Sequence, residues 1–172
     1  MSFSLIENAH IVNIRSPIDA NGNALPAAFV NMKNCQKVTF IVNLGVLSAT
    51  SAAAVTLIVA NDATPTKSKT IGALTDLSMP HYYRRTVNTD TWVKTAVASS
   101  TFNMVHTDDG LSFAIEVDAA KMGMFTSTSV AYEASHVRLA IATPGAHACL
   151  MGVLAIQTGL RYAEDTPPTA IT

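Results

Sequence analysis

Charge is the scarcest resource of this chain. Lys, Arg, Asp and Glu make up only 13% of its 172 residues, about half the usual share of a soluble domain. The formal net charge is −1, which excludes a long-range pull towards nucleic acid or an anionic membrane. Cysteine is almost absent: Cys35 and Cys149 lie far apart in apolar-leaning segments. That excludes a disulfide framework or a paired metal site and leaves two small buried hydrophobes of a reducing compartment. The eight glycines are scattered, so no G-x-G-x-x-G or Walker phosphate loop exists. No apolar run approaches the ~18–20 residues of a membrane span. The opening MSFSLIENAH lacks the basic and apolar regions of a signal peptide. A protein made in the cytoplasm and not secreted is expected.

What fills the space is small and hydroxyl-bearing: 26 Ala, 20 Thr and 13 Ser. Such a surface is wettable but repels its neighbours little, which suits a protein packed against others. The length fits a single domain with a sizeable core.

Period-two alternation dominates the pattern. In LSFAIEVD, Leu111, Phe113, Ile115 and Val117 oppose Ser112, Ala114 and Glu116. Val137, Leu139 and Ile141 oppose His136 and Arg138, and KVTFIVN and AVTLIVAN repeat the pattern with Val38, Phe40, Val42 and with Val55, Leu57, Val59. TWVKTAV, TFNMVHT and AHIVNIR are weaker versions. The nearly unbroken apolar run from His147 to Ile156 predicts a strand buried on both faces. Turn signals lie at 20–26, 61–68, 107–110 and 143–146, with Pro144-Gly145 fitting a type II turn and Asp109-Gly110 a tight hairpin. Asp118 can cap one helical turn over Ala119–Met122, ended by Gly123. The stretch from Thr70 to Arg85 lacks alternation and predicts an ordered loop or edge excursion. The expectation is an all-β, single-domain antiparallel β-sandwich or jelly roll of eight to ten strands with one short helical turn.

The search for chemistry returns little. His106, Asp108 and Asp109 offer three metal-ligand types, yet the turn role of Asp109-Gly110 explains them without a metal. Eight Asp and four Glu are dispersed, so a calcium cluster or a glycosidase pair is not expected. No G-x-S-x-G elbow exists, and a thiol in the apolar run around Cys149 is expected to be inert. No catalytic residue, metal or cofactor is therefore expected, nor an enzyme. The stretch HYYRR, with Tyr82, Tyr83, Arg84 and Arg85, joins aromatics to arginines. That mixture can stack bases or anchor a protein interface, and the neutral overall charge favours the interface.

The C-terminal segment HVRLAIATPGAHACLMGVLAIQTGLRYAEDTPPTAIT resembles the end of a group of small tailed-bacteriophage virion proteins encoded among head genes. The resemblance is carried by Val137-Arg138, then Arg161-Tyr162, Pro167-Pro168 and Ala170-Ile171. ENAHIVNIRSPID, FVNMKNCQKVTFIVNLGV and AVTLIVANDAT are similar to units of its N-terminal half. The middle, roughly 64 to 110, matches weakly, and Gly159-Leu160 stands where that group often has a polar Ser-Asp pair.

The resemblance implies a non-enzymatic virion component, most plausibly a capsid decoration (cement) protein on the head exterior. Its partners would be the major capsid protein and further copies of itself, with a trimer favoured, and no nucleic acid or membrane. Residues 1–162 would form the sandwich and 163–172 an extended arm, held open by Pro167 and Pro168. The candidate interface comprises Tyr82, Tyr83, Arg84 and Arg85 in the excursion and Arg161, Tyr162, Pro167 and Pro168 at the arm. A tail or head-tail joining component is the alternative within this class. A carbohydrate-binding module using Trp92 and Tyr82-Tyr83 is the alternative outside it.

Overall fold

The computed structural model describes residues 5–21, 24–47, 52–64, 67–70, 81–85, 91–97, 101–105, 107, 110–142 and 149–160. Among the described residues, a helical turn, Leu5–Asn8, leads into fourteen strands. They are β1 (Ala9–Asp19), β2 (Leu25–Pro26), β3 (Val30–Asn31), β4 (Lys37–Leu47), β5 (Ala52–Ala60), β6 (Ser68–Thr70) and β7 (His81–Arg85). After them come β8 (Trp92–Ala96), β9 (Thr101–Val105), β10 (Ser112–Asp118), β11 (Met124–Ser127), β12 (Val130–Glu133), β13 (His136–Ile141) and β14 (Cys149–Thr158). The ladders among the described residues are antiparallel.

Two sheets form an all-β sandwich. The first runs β1-β14-β4-β10-β7-β8. In the second, β13 takes β2 and β3 along one side and β5 on the other, and β5 takes β6 and β9. The long pairings are nested: first strand with last, β2 and β3 with β13, β4 with β10, β5 with β9. A single long hairpin folded over on itself has this order.

Alternation produces the core directly, because side chains at i and i+2 share a face. Val38, Phe40 and Val42 of β4 are fully buried, as are Phe113 and Val117 of β10. They meet Val55, Leu57 and Val59 of β5 and Val137, Leu139 and Ile141 of β13, which lie opposite one another in register. Phe102 of β9 packs on Phe113 of β10 with ring centroids 5.9 Å apart, joining the two sheets. The predicted cap is present: Asp118 accepts a hydrogen bond from the Ala120 amide at 2.9 Å, over a 3-10 turn at Ala119–Lys121. Gly123 then reverses the chain at φ +55°.

Several expectations are revised. The described strands number fourteen rather than eight to ten. Of the loop or edge excursion expected over 70–85, His81–Arg85 takes the second form, a paired strand of an edge hairpin held between β10 and β8. The turn around Gly110 is not a hairpin, since β9 belongs to the second sheet and β10 to the first. Strand β14 is buried on one face only: Met151, Val153 and Ala155 point inwards, whereas Leu154 and Ile156 are half-buried and Leu150 is 52% exposed. His136, expected on a polar face, is buried beside Ser135. The β11–β12 hairpin is an addition that no sequence signal announced. Its two-residue turn, Thr128-Ser129, takes positive φ at both positions without the usual Asn or Gly. The Pro144-Gly145 turn, the His106, Asp108 and Asp109 side chains and the arm 163–172 lie outside the described residues.

Candidate functional site

The first sheet is wider than the second. Phe102 covers β10 from the second sheet, and beyond β10 the strands β7 and β8 continue the first sheet alone. Burial follows: along β8, Trp92, Val93, Lys94 and Ala96 are exposed and only Thr95 is half-buried. Trp92 and Val93 expose 41% and 50% of their surface. One edge of β8 pairs with β7, and the other is the rim of the sheet among the described residues.

Register decides which face each side chain takes, because partners in an antiparallel pair point the same way. Phe113 pairs with Arg84 and Ala114 with Tyr83, so Arg84 lies on the core side and Tyr83 on the outer side. Arg84 donates to the Thr107 carbonyl at 3.4 Å and ties the hairpin to the crossover between the sheets. Tyr83 pairs with Lys94 and Arg85 with Trp92, which gathers two cations and two aromatics on one outer face. Of the expected interface, Tyr83, Arg84 and Arg85 thus come to one exposed hairpin, although Arg84 has a structural anchor. Tyr82 is in the same strand, with a side chain outside the described residues, as are Arg161, Tyr162, Pro167 and Pro168. Trp92, Val93 and Lys94 complete this surface. Trp92 stood out in the sequence as an aromatic able to form a platform with Tyr82-Tyr83, whereas the signal for Val93 and Lys94 was the weak alternation of TWVKTAV.

The outer face of the first sheet continues inwards from the hairpin as an apolar band. Tyr83 adjoins Ala114, Ala114 adjoins Ile41, and Ile41 adjoins Leu154. Ile156, opposite Ile11 on β1, extends it. Ile11 is 37% exposed and the others are half-buried. The charges on this part of the face, among the described residues, are Lys37 and Glu116, paired at 3.5 Å, and Asp118 at its end, opposite Lys37.

The last core strand ends at Gly159, where φ is +63°. A Cβ there would lie 2.7 Å from Gln36 Oε1 and 2.8 Å from Gln36 Cβ, so this corner needs glycine on both backbone and steric grounds. The Gln36 amide is shared between the Thr158 and Gly159 carbonyls at 3.0 and 3.2 Å, fixing where the chain leaves the core.

A second cluster invites comparison with a nucleophile and base. Ser135 Oγ lies 2.8 Å from His136 Nδ1. Yet Ser135 donates its one proton to the Asn61 carbonyl at 2.6 Å, so in the short contact the imidazole donates and the serine accepts. An activating base must do the reverse. Burial, then Lys33, hold the His136 pKa below its ordinary 6.5, against an upward pull from Asp62. The arrangement is a neutral, structural histidine. Among the described residues, no group of three or more His, Cys, Asp or Glu side chains can hold a metal ion, and no helix is long and apolar enough to cross a membrane.

No family model matches the chain, and no curated protein matches it. Solved structures of the infectious bursal disease virus capsid protein are similar to it at a low level. The VP2 subviral particle shares 8% identity over 88% of this chain and 37% of that one, with a TM-score of 0.23. The T=1 particles derived from the same virus share 8% over 88% and 40%, with a TM-score of 0.26. The chain therefore spans well under half the length of these neighbours, and the functional reading rests on its own strands and surfaces.

Proposed function

We propose that this chain is a non-enzymatic structural protein of a tailed-bacteriophage virion, a decoration protein that binds the exterior of the expanded head and stabilises it. The observation that carries the reading is the outer face of the first sheet: broad, poor in charge and crossed by the band Tyr83–Ala114–Ile41–Leu154–Ile156–Ile11. A face of this kind, rimmed by cations and aromatics, is suited to lie against another protein surface. The nested strand order supports a jelly roll, an architecture that serves shells and lectins alike. Fold alone does not choose between those uses, and the charge-poor outer face favours the first. The partner is the major capsid protein. Copies of the chain associate with each other, as a trimer, so that weak contacts add through effective concentration. The protein is made in the host cytoplasm and resides on the capsid exterior.

The test is titration of the purified protein onto isolated, expanded, undecorated shells, counting bound copies. Saturation in proportion to shell subunits is expected. The variant Leu154→Lys, which places a charge in the middle of the band, should weaken binding by about tenfold while leaving the circular dichroism spectrum unchanged. Binding of only a handful of copies would move the protein to the tail or head-tail connector.

A further inference from the structure

We infer that the rim of β8 is a docking edge for the C-terminal segment of a second copy, which adds to the first sheet as a seventh strand through residues 162–166. The inference rests on the reading of the chain as an assembling structural protein, and names the contact that would join its copies.

Three observations carry it. First, β8 lacks most of the devices that blunt a sheet edge. It has no proline, pairs with β7 without a register shift, is covered on neither face by the described residues and exposes Trp92 and Val93. Such an edge presents unpaired backbone groups to any extended segment. Its single safeguard is Lys94.

Second, charge selects the partner. The two strands of the hairpin, 81–85 and 92–96, carry Arg84, Arg85 and Lys94 and no carboxylate. Pairing β8 with β8 of another copy centre to centre would set Lys94 opposite Lys94, and like charges across strands are unfavourable. An acidic segment has the opposite effect. The chain supplies one in YAEDT, residues 162–166, with Glu164 and Asp165, followed at once by Pro167-Pro168. Proline has no N–H to give a ladder, so the two prolines end the added strand where β8 also ends. Both segments are five residues long, and their central residues are Glu164 and Lys94. In either strand direction these two stand opposite each other, on the face that also carries Tyr83.

Third, the segment cannot reach its own β8. The chain leaves the core at Gly159, over Gln36 at the start of β4, and Leu160 packs against the core. A strand added to β8 lies four inter-strand spacings from β4, or about 19 Å. From Leu160 to Glu164 a fully extended chain covers about 14 Å at most. The contact therefore joins two copies. It is head-to-tail, and closes into a ring where the rotation allows.

The test uses the full chain in solution without shells. Sedimentation equilibrium should show an oligomer. Lys94→Glu and Glu164→Lys should each weaken association by about fivefold per contact, and the doubly reversed variant should return to within about twofold of wild type. Hydrogen exchange should show added protection in the oligomer at the β8 amides that point away from β7, and not in the single variants. A wild-type monomer, or a double variant no tighter than the singles, would overturn the inference. So would an oligomer whose outward β8 amides exchange freely. A monomer that still saturates shells would overturn this contact and leave the decoration reading standing. An oligomer with the expected charge behaviour that ignores shells would support the contact while removing that reading.

Discussion

Replacing Gln157 with Met removes one polar link across the sandwich while nearly keeping volume. Gln157 lies on the core-facing side of β14 and is 5% exposed. Its amide donates to the Asn31 carbonyl on β3 at 2.6 Å, and Cys35 Sγ lies 3.6 Å away. Strand β3 belongs to the second sheet and β14 to the first, so this bond holds the two sheets at the end where the chain exits. Losing a buried hydrogen bond while its carbonyl partner stays behind costs about 1–3 kcal/mol. Met regains part of that by burying apolar surface in place of an amide. A net loss of about 1–2 kcal/mol follows, or a fall in Tm of roughly 2–8 °C at this chain length. Gln157→Ala should cost more, about 2–4 kcal/mol, because a cavity is added. Calorimetry on the three proteins checks the order wild type, Met, Ala. A Met variant as stable as wild type would refute the reasoning, since the Asn31 carbonyl would then need no partner from β14.

Two further substitutions probe single features. The pKa of His136 is lowered in the fold by burial and by Lys33, so the unfolded chain binds its proton more readily and stability falls as pH drops below about 6.5. His136→Asn should remove that component, flattening stability against pH as the pH falls below about 6.5 in urea titrations, and an unchanged slope would refute it. Gly159→Ala meets both a positive φ of 63° and a Cβ position 2.7 Å from Gln36 Oε1. It should lower stability by at least about 1–2 kcal/mol, whereas a neutral result would mean that the corner can move.

The inner faces of β4, β5, β10 and β13 were legible because each has one dry and one wetter face, and alternation records that difference residue by residue. The cap at Asp118 was legible because its hydrogen bond spans two residues. Features set by distant chain were not. HYYRR shows no alternation because β7 lies beyond the second sheet, with Tyr83 and Arg84 half-buried on opposite faces. Asp-Gly at 109–110 reads as a hairpin because a glycine turn looks the same locally whether the next strand joins the same sheet or the other one. His136 looked solvent-facing in its strand, and only tertiary contacts, Ser135 to Asn61 among them, bury its surroundings. The apolar run of β14 suggested two dry faces. What it encodes is one dry face and one band of Leu154 and Ile156 that no layer covers among the described residues.

That last mismatch bears on function. A strand with two apolar faces, in a sheet that the described residues cover on one side, leaves surface that water disfavours, and its removal supplies a driving force for association. The additions to the nested core point the same way. Gln36, Asp118 and Thr158 lie at one end of the first sheet, where Lys37 pairs with both Asp118 and Thr158. Ala60, Asn31 and His136 lie at the corresponding end of the second, tied to the first through Gln157. From this end the chain departs into the excursion carrying β6, β7 and β8, into the β11–β12 hairpin, and out through Gly159. Lys67, at the start of the excursion, donates to Thr128 of that hairpin at 3.3 Å. The core strands bury their alternating residues and can vary little without loss of packing. The excursion contributes only an edge hairpin to the first sheet, so its exposed residues are under no such constraint. The residues of β7 and β8 can therefore change with little loss of core packing, and on the reading proposed above they widen the outer band that the sandwich strands already carry.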